Sequence, residues 1–151
     1  MRASALAALA WLAAGGAMAQ EVATVLSSAG RWDLRRSRDG TAEASECILT
    51  PKPRSRIEVG RDRLVVASLP KNSIFNFQYR IDDEPASTPA PPSEAMQNTG
   101  TIVLDGAAFD RILHGRRLQV RILDRWHEAV TEDVDLAGLA ELHGRMPQAC
   151  R

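Results

Sequence analysis

The chain has 151 residues, with 19 basic and 19 acidic side chains and a formal charge of zero. Such a balance excludes a general nucleic-acid binder, which carries a clear basic excess. Hydrophobic residues make up 44% and aromatic ones only 5%, so a core here must rest on Leu, Ile and Val.

Met1-Arg2 supplies one positive charge, Ala3 to Ala14 is an uncharged Ala- and Leu-rich run, and Ala17-Met18-Ala19 is a small-x-small pattern. This is the pattern of a secretory signal peptide spanning 1–19, cut between Ala19 and Gln20. The run is shorter than the roughly 20 residues of a membrane-spanning helix, and nothing later is long and apolar enough to cross. With no Cys at the cleavage position, a lipid anchor is not expected. Export leaves about 130 residues, the size of one domain, expected periplasmic or secreted and not membrane-spanning.

Gln20 to Gly30 reads as a loose lead-in of small residues, and 31–151 as a single β-rich domain. Trp32 and Leu34 open it on one face of a short strand. Asp39-Gly40 is a hairpin signal, and Ala44 to Thr50 returns antiparallel, carrying Cys47. Arg56 to Val59 and Leu64 to Ala67 predict two more strands. Ile74 to Ile81 alternates, with Phe75, Phe77, Tyr79 and Ile81 on one face.

Asp82-Asp83-Glu84 closes that strand, and the four prolines between Pro85 and Asn98 mark residues 85–99 as an exposed, extended loop. The plainest stretch follows: a strand at Thr101–Leu104, a turn at Asp105-Gly106, a helix from Ala107 to His114, a C′ glycine at Gly115 and an alternating strand from Arg117 to Leu123. Trp126, Val130 and Val134 are expected on one strand face with Glu128 and Glu132 interleaved. Asp135 is a candidate N-cap for a helix from Leu136 to His143, stopped by Gly144. The expected fold is mainly β: an antiparallel β-sandwich or open barrel of about seven or eight short strands, with two short helices in the C-terminal half.

Cys47 and Cys150 are the only cysteines. An even count in an oxidising compartment reads as one disulfide.

No catalytic, cofactor or metal motif stands out. His127-Glu128 begins like a zinc-protease helix, but Thr131 occupies the position of the second His. His114 and His143 sit where predicted helices end, within reach of exposed carbonyls. The Asp82–Glu84 triplet lacks calcium-loop spacing, and no Gly-x-Ser-x-Gly elbow occurs. From Arg31 to Arg63 there are nine basic and six acidic residues. Arg31, Arg35, Arg36, Arg54 and Arg56 could form a face for an anionic ligand, since Arg makes bidentate contacts to phosphate and carboxylate. The Pro-rich loop is a candidate partner-binding segment.

Several features carry a family resemblance: the opening Trp32 strand, Cys47 in the next strand and Tyr79-Arg80-Ile81-Asp82 near the middle. Phe109 in a short helix, Leu118-Gln119-Val120-Arg121, and Leu136-x-Gly138-Leu139-x-x-Leu142 before Cys150 continue it. From Trp32 to Cys150 this layout resembles the small exported proteins of the invasion-associated locus B group, and the ending is also similar to type VI secretion accessory proteins of the periplasm. The chain departs from members in the opening strand, where Arg35 or Arg36 stands in place of an additional Cys. The resemblance implies an exported β-domain acting at the cell envelope, with no established catalytic site to carry over, and the expected function is non-enzymatic binding of an unidentified protein or anionic envelope component. The rival expectations are an inhibitor of a host or competitor hydrolase, using residues 85–98, and a hydrolase whose site is not visible in sequence.

Overall fold

The computed structural model describes residues 23–37 and 46–151. The signal-peptide segment and the Asp39-Gly40 turn lie outside the described residues. Among the described residues the chain forms strands β1 (Thr24–Ala29), β2 (Trp32–Ser37), β3 (Glu46–Pro51), β4 (Ile57–Val59), β5 (Arg63–Val66), β6 (Ile74–Ile81), β7 (Ile102–Asp105), β8 (Arg117–Asp124) and β9 (Ala129–Asp135). Its helices are α1 (Glu94–Thr99), α2 (Gly106–His114) and α3 (Leu139–Ala149). The fold is mainly β and antiparallel throughout, as its alternating patterns predict.

The strands form two sheets, one ordered β1-β2-β3-β4-β5-β7 and one ordered β6-β8-β9. Register explains the core. Leu34 pairs with Leu49, Leu49 with Val59, Val59 with Leu64 and Leu64 with Leu104, so one face of the larger sheet is a continuous aliphatic row. The smaller sheet answers with Phe77 opposite Ile122 and Ile81 opposite Leu118. Leu139, Leu142 and Met146 of α3 and Phe109 and Ile112 of α2 complete one shared core. Trp32 is fully buried in it and donates its indole N–H to the Asp135 carbonyl at 2.9 Å, satisfying the one polar atom that burial would otherwise strand.

Within the segment read as a loose lead-in, Thr24–Ala29 forms the edge strand β1, because its pairing with β2 extends the sheet; a bulge between Val25 and Ser27 interrupts the register. The turn between them is locked to the far end of the chain. Arg31 donates its backbone N–H to the Ala137 carbonyl at 2.9 Å. Gly30 and Gly138 both have positive φ, and a Cβ on either would fall 2.1–2.2 Å from a carbonyl oxygen of the other segment.

The Pro-rich stretch is extended but tied down. Phe77 and Ala90 exchange backbone hydrogen bonds of 3.0 and 2.9 Å, and the Ser87 hydroxyl accepts from the Tyr79 N–H at 3.0 Å. The stretch therefore covers the free edge of β6. Its end is helical, because the Ser93 hydroxyl accepts from the Met96 N–H at 3.2 Å and caps α1.

Four local expectations are corrected. A bulge between Ile74 and Asn76 turns Phe75 out to 53% exposure, away from Phe77 and Ile81. Trp126 lies in the β8–β9 turn, and Glu132, not Trp126, shares the inward face of β9 with Val130 and Val134. Helix α3 begins after Gly138 and runs through Gly144, because Met146 still has core to enter. Gly115 ends α2 with a φ of −82°, outside the left-handed region. Glycine is needed there for space, since a Cβ would meet the Ile81 side chain at 2.6 Å.

Candidate functional site

Cys47 and Cys150 form the expected disulfide, with their Cα atoms 6.1 Å apart and 103 residues apart in sequence. Beside it, Arg36 donates to the Ala149 carbonyl at 2.6 Å, a cation at the negative end of α3. The bridge and this hydrogen bond dock the last helix on β2 and β3.

The five arginines of the expected anionic-ligand face do not assemble as one face. Arg35 and Arg36 leave β2 on opposite sides, as successive strand residues must. Arg35 lies 3.3 Å from Asp33, Arg36 is engaged with Ala149, and Arg56 pairs with Glu132 at 3.0 Å. Arg31 and Arg54 are exposed. The three histidines do not converge either. His114 Nδ1 is 2.7 Å from the Asp110 carbonyl, His143 Nε2 is 2.8 Å from the Arg61 carbonyl, and His127 lies against Phe75. Among the described residues no three His, Cys, Asp or Glu side chains are placed to hold a metal.

A different arginine pair occupies a built site, at the end of the smaller sheet where β6 leaves and β8 enters. Asp82 has a positive φ of 52°, which brings its carboxylate back onto the chain. Oδ1 accepts from the backbone N–H groups of Arg116 at 2.9 Å and Arg117 at 2.8 Å. These two bonds hold the Asp82 carboxyl below the ordinary aspartate range and fix where both arginine side chains start.

Arg117 then makes a bidentate pair with Asp133 on β9, at 2.8 and 2.6 Å. That pair lowers the Asp133 carboxyl and raises the guanidinium. Gln119 bonds Asp133 at 3.4 Å, and Arg80 bonds Gln119 at 3.4 Å. Arg116 has no side-chain hydrogen bond or ion pair among the described residues. It lines two adjoining hollows: one of about 620 Å³ with Gly115, Arg117, Asp133, Asp135 and Ala137, and one of about 220 Å³ with Arg80, Asp82, Asp83 and Arg117. Chemically the arrangement offers a free guanidinium on a rigid base, suited to a carboxylate or phosphate.

Sequence reasoning passed over Arg116-Arg117 because the pair reads as the outward start of a strand. The available signal was the Asp82-Asp83-Glu84 triplet, whose first aspartate has a positive φ and reaches these backbone amides. A third hollow of about 550 Å³ is acidic rather than basic, with Asp62, Asp105 and Asp110 lining it beside Arg61 and His143. No family model matches the chain, and no curated protein or solved structure does.

Proposed function

We propose that this protein is a non-enzymatic, exported β-domain of the invasion-associated locus B type, which binds an anionic component of the bacterial cell envelope at the Arg116 cleft. The observation that carries the reading is Arg116, exposed and without a side-chain partner among the described residues, lining two hollows while Asp82 anchors its backbone. Anchoring of this kind favours binding, because little backbone order remains to be created on contact. The disulfide and the lack, among the described residues, of a helix long and apolar enough to cross a membrane are compatible with an exported protein.

The inhibitor reading has less support, since the Pro-rich stretch is strapped along β6 at Phe77 and Tyr79 rather than presented as an inserting loop. A hydrolase reading would rest on the hollow lined by Asp62, Asp105, Asp110 and His143, where His143 Nε2 already lies 2.8 Å from the Arg61 carbonyl.

The test is titration of galacturonate and of inorganic phosphate into the bridge-intact protein, followed by NMR or calorimetry. Saturable binding that Arg116→Ala removes and Arg54→Ala keeps supports the cleft. Binding that neither substitution changes refutes it.

A further inference from the structure

The outer face of the smaller sheet runs from the Arg116 cleft to a second exposed feature. Strand register sets Arg80, Gln119 and Asp133 in one cross-strand row, Gln78, Arg121 and Thr131 in the next, and Asn76, Leu123 and Ala129 in a third. Arg121 and Thr131 are exposed, and Asn76 and Gln78 half-buried. None of these four makes a side-chain hydrogen bond or ion pair among the described residues.

At the far end the β8–β9 turn is rigid. The Asp124 carboxylate accepts from the N–H of Trp126 at 2.9 Å and of Glu128 at 2.8 Å, and Arg125 donates its N–H to the Ser73 carbonyl at 2.9 Å. The turn presents Trp126, 72% exposed, beside His127, whose ring centroid is 5.9 Å from that of Phe75. Along β8 the tip and the cleft are about 24 Å apart, at about 3.4 Å per residue.

We infer that this face binds an acidic polysaccharide laid lengthwise from the cleft to the aromatic tip; this rests on the anion-binding reading of Arg116 and names its ligand class. Amide side chains both donate and accept, which matches sugar hydroxyls. Arg121 and Arg116 meet acidic groups in a bidentate manner. Trp126 and Phe75 offer flat apolar surfaces for the C–H faces of sugar rings. A folded acidic protein is a poorer fit, because protein interfaces centre on an apolar core ringed by polar groups, and here the apolar part is confined to one end.

The experiment compares galacturonate, polygalacturonate, neutral dextran and polyglutamate on the bridge-intact protein and on Arg116→Ala, Arg121→Ala and Trp126→Ala. Polygalacturonate is expected to bind at least about tenfold more tightly than the monomer, through several contacts on one chain. Arg121→Ala and Trp126→Ala are each expected to lower polymer affinity about five- to tenfold. Both positions are exposed, and melting temperatures within about two degrees of the parent verify folding. If the monomer binds through Arg116 but the polymer gains nothing, or polyglutamate binds as well as polygalacturonate, or neither exposed variant matters, the polysaccharide is overturned and the cleft stands. If the monomer does not bind but polygalacturonate still binds through Trp126, the cleft reading fails and the face stands. Binding of neither overturns both.

Discussion

Arg56 and Glu132 meet at 3.0 Å although 76 residues separate them. Arg56 precedes β4 of the larger sheet, and Glu132 lies in the middle of β9 on the face that enters the core. Glu132 is 8% exposed, so its carboxylate depends on this partner. Arg56 keeps its outer half in water, which weakens the pair below a fully buried one. Arg56→Met is expected to destabilise by about 1–2 kcal/mol, since it strands a buried acid. Glu132→Leu in the Arg56→Met background should recover much of that loss, because an apolar pair can replace an ionic one there. A double-mutant cycle completed by Glu132→Leu alone and read by urea unfolding checks both, and strictly additive effects of the two substitutions would exclude the pair as a stabilising contact.

The cross-link is the largest single constraint on the unfolded chain. Closing a loop of about 100 residues corresponds to about 4–5 kcal/mol in the chain-entropy account. Cys47→Ser is therefore expected to lower Tm by 10 degrees or more. It should also loosen α3, whose last turn is held there and by Arg36. Thermal melts with and without reductant check the first expectation, and hydrogen exchange at Leu142 and Met146 the second. An unchanged Tm under reduction would remove the bridge from the stability argument.

Much of this architecture is legible in the sequence, and the exceptions have physical causes. Strict alternation from Arg117 to Leu123 and the Asp105-Gly106 turn define β7, α2 and β8, because local pattern and tertiary burial agree there. Edge strand β1 is silent, since Thr24 to Ala29 gains its order from pairing with β2 rather than from a buried face of its own. Phe75 is misleading because a bulge, invisible to periodicity, reverses its direction. The expectation of a cationic face from Arg31 to Arg56 counts charge without counting partners, and Asp33, the Ala149 carbonyl and Glu132 engage Arg35, Arg36 and Arg56. The Arg116 cleft was hidden for a complementary reason: its base is an Asp82 turn 34 residues away.

Glycine substitutions separate close approach from helix propensity. Gly138 has a φ of +92°, and an added Cβ would lie 2.1 Å from the Ala29 carbonyl oxygen, which is backbone and cannot rotate away. Gly138→Ala is expected to destabilise by about 2–3 kcal/mol, combining left-handed strain with forced separation of the β1–β2 turn. Gly144 lies within α3 with nothing within 4 Å of an added Cβ. Gly144→Ala should stabilise by about 0.5–1 kcal/mol through helix propensity alone. Chemical denaturation of the two variants in parallel checks the contrast, and a destabilised Gly144→Ala would mean that α3 needs its flexibility.

Acid sensitivity should trace to Asp33. It is 7% exposed and accepts from the Ser28 hydroxyl at 2.5 Å, with Lys52 and Arg35 each 3.3 Å away. The Ser28 hydrogen bond first, and then the Lys52 and Arg35 charges, hold its carboxyl below the ordinary range against the opposing effect of burial. A group with a lowered folded-state pKa favours folding while it is ionised. Its contribution is complete above the ordinary aspartate value of about 4 and is lost as pH falls through the folded value. The bidentate Arg117–Asp133 pair adds a slope of the same sign, because Arg117 lowers Asp133. Stability should thus be flat from pH 7 to about 5 and decline below about 4. Asp33→Asn should lower stability at neutral pH and flatten the acid decline. Urea midpoints at pH 6, 4 and 3 for the parent and the variant check this, and an undiminished slope in Asp33→Asn would assign the acid loss to other carboxylates.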